Sequence, residues 1–196
     1  MTGPLRSRES AVEAPARRAH PSREAGFTLI DMLFVVGLIG LLSSLAVPGL
    51  VRARGAAQAT SAIGSLGLVN SGELSYAITC GLGFYAPDLP TLGIPSPGMT
   101  EAFLPAELTQ GATVIKSGFI LSLAGTVHPS SPATCNGVAP GGSSASYAAV
   151  ADPIDLTGQT PRFFGTNSDG LIYEDGTTLS LTMPETGSPP SGHPIR

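Results

Sequence analysis

The side chains able to do chemistry are few, and most stand apart. One carboxylate, Asp31, lies inside an otherwise apolar run from Phe27 to Val51, five residues after Gly26. An ionised side chain at the centre of a bilayer helix costs roughly 2.5–3.5 kcal/mol on insertion scales, so such an acid must stay near the interface, pair, or become neutral. Two cysteines, Cys80 and Cys135, both follow the apolar run. In an exported domain an even pair reads as one bridge, the other reading being two unpaired thiols. Of the three histidines, His20 is near the N-terminus, His128 precedes a proline in a turn cluster and His193 is near the C-terminus, so a triad or a histidine metal site has little to build on. Asn167, Ser168, Asp169, Glu174 and Asp175 could supply oxygen ligands, but they lack the regular spacing of a calcium loop and read more simply as a hairpin turn. Glu73 reads as part of a solvated helix face. No catalytic constellation stands out, so the chain reads as non-enzymatic, with no cofactor and no metal assigned.

Asp31 needs an element to carry it. The 25 residues from Phe27 to Val51 contain one ionisable side chain; as a helix they would span about 37 Å, enough to cross a membrane. Residues 1–26 carry five Arg against three Glu, a net +2, whereas residues 27–196 carry five basic and eleven acidic groups, a net −6. The basic leader holds the N-terminus in the cytoplasm and sends the acidic body outward, although Arg52 and Arg54 weaken that asymmetry. An acidic body without a basic patch, and without tryptophan, argues against nucleic acid as the main partner. Three readings compete for the run: a secretory signal peptide, a plain signal anchor, and a cleaved leader ahead of a retained helix. The first lacks an Ala-x-Ala-like site before Pro48, and the second has no need of a carboxylate. Only the third accounts for Gly26 and Asp31 together.

The stretch "GFTLID", followed by an unbroken apolar run, resembles the class III signal of type IV pilins, pseudopilins and related filament subunits. The resemblance implies cleavage by a prepilin peptidase between Gly26 and Phe27, followed by N-methylation of Phe27. Glycine suits the site because its backbone can be held extended and closely approached. The family's glutamate at the fifth mature position matches Asp31, a departure that keeps the sign of the charge and shortens the reach. A carboxylate in the first helical turn is favoured by the positive end of the macrodipole, and the resemblance implies that it meets the amine of a neighbouring subunit during assembly. Snorkelling, or pairing with its own Phe27 amine, is the alternative. Pro48 also has a counterpart in many pilins and predicts a kink or a locally melted stretch, since proline removes a donor and clashes with the preceding turn. Gly37 and Gly40 weaken the helix further or serve as close-packing notches.

From Arg52 to about Ile78 the pattern turns amphipathic, with Ala59, Ile63, Leu66, Asn70, Leu74 and Ala77 or Ile78 at helical spacing. Residues 80–111 are rich in glycine and proline and predict an irregular connection with short helical turns at best. "TVIKSGFILSLAG" alternates as a strand or hairpin, "SYAAVADPI" reads as a second strand, and "PRFFGTNSDGLIYEDG" reads as a hairpin with strands near Arg162–Gly165 and Leu171–Glu174. The predicted fold is α+β, a long N-terminal helix packed on a small antiparallel sheet. Its parts are a cleaved leader 1–26, a transmembrane or filament-core helix 27–51, an amphipathic continuation 52–79, a globular domain 80–186 and a flexible tail 187–196.

The resemblance implies a structural subunit of a type IV pilus or related filament. Its partners would be copies of itself and related pilins, the prepilin peptidase, the inner-membrane assembly machinery of a pilus or secretion system, and the membrane before assembly. It would sit in the inner membrane with a periplasmic domain, and in a surface pilus or periplasmic pseudopilus once assembled. The alternatives are a pseudopilin of a type II secretion system and, from another class, a membrane-anchored periplasmic binding domain that never assembles.

Overall fold

The computed structural model describes residues 26–156 and 161–195. The leader's residues 1–25, with all five of its arginines, lie outside the described residues. Two compact units divide the chain, Met1–Ala46 and Val47–Arg196.

Helix α1 spans Leu29–Thr79. Its first half is held by composition, being a run of aliphatic residues left uncovered by the described residues: every residue from Gly26 to Arg54 is exposed. Pro48 stands inside the helix, and the helix is unbroken across it, so the melted stretch that proline predicts is not formed. The second half depends on packing. Ala59, Ala62, Leu66, Val69, Tyr76 and Ala77 form its buried stripe. This departs from the predicted stripe at its end, because Leu74 and Ile78 are 56% and 73% exposed while Glu73 and Tyr76 are inside. Gly72 marks the closest approach, where an added Cβ would stand 2.9 Å from the carbonyl oxygen of Phe103.

The irregular connection that follows contains the short helix α2, Leu89–Leu92, capped by Asp88, and a single 3-10 turn at Ala106–Leu108. Six strands then run as an antiparallel meander in chain order: β1 (Thr113–Lys116), β2 (Phe119–Ala124), β3 (Ala148–Pro153), β4 (Phe163–Asn167), β5 (Ile172–Asp175) and β6 (His193–Pro194). The α+β architecture is therefore as the pattern predicts.

One face of the sheet meets α1 through Val114, Phe119, Leu121, Leu123, Ala149 and Phe164. Alternation is clear in β2, where Phe119, Leu121 and Leu123 are buried and Ile120 and Ala124 are exposed, as a half-buried strand requires. In β4 every residue is buried, because the opposite face is covered too. Val150, Gly165 and Tyr173 form one cross-strand row, and Leu179 and Met183 lie over it.

The C-terminal segment, expected as a tail, pairs with the sheet edge. His193 and Pro194 pair with Glu174 and Tyr173, and the amide of Ile195 donates to the carbonyl of Ile172 at 2.8 Å. The edge of β5 offers free backbone groups, and a short extended segment satisfies them despite its proline and glycine content.

Candidate functional site

The helix start is built from two side chains. The Thr28 hydroxyl donates to Asp31 Oδ2 at 2.6 Å and accepts from the Asp31 amide at 3.2 Å, while the Thr28 amide donates to the same carboxylate at 3.3 Å. This is a reciprocal capping box with aspartate in the place usually held by glutamate. Asp31 thus satisfies a backbone donor at the N-terminus of its own helix, beside Phe27, which is 83% exposed. Gly26 and Phe27 precede the helix as exposed, non-helical chain, the backbone state a protease needs. The helix is long and apolar enough to cross a membrane.

Further along α1 the structure assembles a polar centre that residue type alone does not announce. Asn70, the one polar break in the predicted stripe, accepts from the Tyr147 hydroxyl at 2.9 Å and donates to Thr166 Oγ1 at 2.9 Å and to the Gly170 carbonyl at 3.2 Å. Thr166 passes its own proton to the Leu171 carbonyl at 2.8 Å. The amide therefore ties the helix to the residue before β3 and to the β4–β5 turn.

One turn on, Glu73 is fully buried, contrary to its reading as a solvated residue. Its Oε2 accepts the amide of Ala86 at 2.8 Å. Burial pushes the carboxyl up to about 8; the Ala86 amide opposes the shift and Asp88 adds to it. Tyr147 is pushed up as well, by burial first and then by Glu73 and Tyr85. A signal for Glu73 existed in the sequence, since it lies seven residues after Leu66 and so on the same helix face; the charge outweighed the phase.

The hairpin oxygens divide between two places. Asn167, Ser168 and Asp169 lie at the β4–β5 turn, where they bind the chain that follows. Asn167 Nδ2 donates to the carbonyls of Pro184 and Gly187, at 3.1 and 2.7 Å, the Ser168 hydroxyl donates to Glu185 O at 2.7 Å, and Asp169 Oδ2 accepts the Gly187 amide at 2.7 Å. Glu174 and Asp175 are at the other end of the ladder, Asp175 opposite Phe163. Glu174 pairs in two contacts with Arg162, which holds its carboxyl below the usual range. Five candidate ligands spread over the length of a strand do not form one site. Glu185 is drawn down too: partial burial raises it, but hydrogen bonds from Ser146 and from the hydroxyl and amide of Thr126 prevail.

Cys80 and Cys135 form a disulfide, with Cα atoms 4.9 Å apart. It joins the residue after α1 to the turn cluster before β3, closing 55 residues that contain α2 and the β1–β2 hairpin.

Fold and site together define an α+β domain that follows an apolar, membrane-competent helix and carries one disulfide. Comparison with models of known protein families, with curated proteins and with solved structures finds no match to this chain.

Proposed function

We propose that the chain is a structural subunit of a type IV pilus or closely related filament, trimmed between Gly26 and Phe27, N-methylated at Phe27 and polymerised through Phe27–Val51. The observation that carries this reading is a chain in which every residue from Gly26 to Arg54 is exposed, helical from Leu29, three residues after a glycine, and holding one acid in the first turn of the helix. Lipid can cover such a surface in the precursor, and identical helices can cover it in a fibre. Asp31 then offers a charge for the new terminal amine of a neighbouring subunit, and the resulting pair would lower the penalty of taking either charge out of water.

The Cys80–Cys135 bridge fits a domain exported to an oxidising setting, which both the periplasm and the cell surface provide. Mass spectrometry of the mature protein tests the reading. An N-methyl-phenylalanine terminus at Phe27 is the expected result; an intact Met1 end, or a cut beyond Pro48, overturns it. Asp31→Ala is expected to leave trimming intact and abolish filaments seen by electron microscopy, and normal filaments from that variant would remove Asp31 from assembly.

A further inference from the structure

The turn that follows α1 is docked on the helix by two backbone bonds, from the Gly81 amide to the Tyr76 carbonyl at 2.8 Å and from the Gly83 amide to the Ala77 carbonyl at 2.9 Å, and further along by a buried carboxyl. Glu73 Oε2 accepts the amide of Ala86 at 2.8 Å, while Oε1 has no hydrogen-bond partner. Between them the chain reverses through Gly81, where an added Cβ would lie 2.0 Å from the Phe84 carbonyl oxygen, and through Leu82 and Gly83, both at positive φ (53° and 94°). Tyr85 then exchanges two backbone bonds with Ser144, at 2.8 and 3.0 Å. The segment is bounded on one side by the Cys80–Cys135 disulfide and on the other by Asp88, the cap of α2.

The ionisable groups acting on Glu73 disfavour its charge. Asp88 is an acid, and Tyr147, beside β3, is itself coupled to Glu73 and packs edge-on against Tyr85 at 5.0 Å. A neutral carboxyl can accept the Ala86 amide and leave one uncharged O–H in the core. An ionised one leaves a bare anionic oxygen there, a far larger penalty. Opening the turn admits water to that oxygen, and the disulfide limits how far the opening spreads.

We propose that Glu73 is a proton-operated latch: while its carboxyl is neutral the turn after α1 stays docked, and loss of the proton opens residues 81–88 to solvent. The linkage has a definite sign. The docked form holds the proton up to about pH 8, whereas a solvated glutamate releases it near 4.5. Opening therefore becomes easier as pH rises between those values and levels off above the upper one.

Hydrogen exchange read by mass spectrometry on the full chain in detergent micelles tests this, with the chemical exchange rate of each amide divided out. In the wild type, protection of residues 81–88 is expected to fall about tenfold per pH unit between pH 6 and 8, while β3 stays protected. Glu73→Gln and Glu73→Met should show no such slope. An equal slope in those variants, a flat wild-type profile, or a loss spread evenly through β3 and β4 overturns the latch. Should both variants fail to fold, a wild-type chain carrying 13C-carboxyl glutamate gives the titration directly. One glutamate protonated above pH 6, losing its proton together with the protection of 81–88, supports the proposal; all glutamates titrating below pH 6 overturns it.

Discussion

Thr28 and Asp31 illustrate how one side chain can serve two structures. In the subunit, Asp31 is engaged by its own helix start through both the hydroxyl and the amide of Thr28. Loss of such a cap removes about 1 kcal/mol of local stability. Thr28→Val should therefore speed amide exchange at Leu29–Met32 in micelles, and Thr28→Ser should restore the wild-type rate. Asn70 carries a larger load because its partners are part-buried. Asn70→Ala leaves the Tyr147 hydroxyl without its acceptor and Thr166 with only its bond to the Leu171 carbonyl, and should destabilise the domain by about 1–3 kcal/mol, read from the denaturant midpoint at unchanged m-value. Only the residue type of Asn70 is legible beforehand, as an interruption in an apolar stripe. That the interruption reaches strands about a hundred residues later depends on the meander bringing Thr166 and Gly170 against the helix.

At the scale of elements, the central strand β4 is sealed by residues whose role lies outside any strand pattern. Leu179 is fully buried and, with Met183, covers the Val150–Gly165–Tyr173 row. Leu179→Ala should cost about 2–5 kcal/mol and expose a second apolar face, detectable as a lowered Tm and dye binding. The strands themselves were legible within a residue or two: alternation marked the β1–β2 stretch as a strand or hairpin and turn residues marked the β4–β5 hairpin, with β4 and β5 each starting one residue later than predicted. The last strand was not legible. "GSPPSGHPIR" has the composition of a tail, and its pairing is imposed by the unpaired edge of β5. The disulfide is the other element-scale constraint. In the chain-entropy model, closing a loop of 55 residues contributes about 4 kcal/mol, so reduction, or Cys135→Ser, should lower the domain's stability by about that much in a denaturant titration.

For the whole molecule, two sets of carboxyls act on stability in opposite senses. Glu174 and Glu185 titrate below their ordinary value of 4.5 in the folded chain, so the stability they contribute is present above that pH and fades as pH falls further. Glu73 is shifted the other way, so its contribution is fully present below pH 4.5 and is lost as pH rises toward 8. The Tm should accordingly peak in the mildly acidic range, and Glu73→Gln should flatten only the alkaline side. A calorimetric scan across pH 3–9 reads both limbs.

The linear order of residues was enough to set the apolar stretch Phe27–Val51, the placement of Asp31 after Gly26, and the succession of helix and antiparallel strands. These follow from local composition and periodicity, which act over a few residues. Tertiary structure decided that Tyr76, and not Leu74 and Ile78, faces inward, that Glu73, in phase with Leu66, is enclosed despite its acid, that Asn70 becomes a junction, and that the last residues form a strand. The reason is physical: burial depends on what the rest of the chain lays over a face, and a carboxyl can be enclosed when a bound proton removes its charge and a single amide replaces the water it loses.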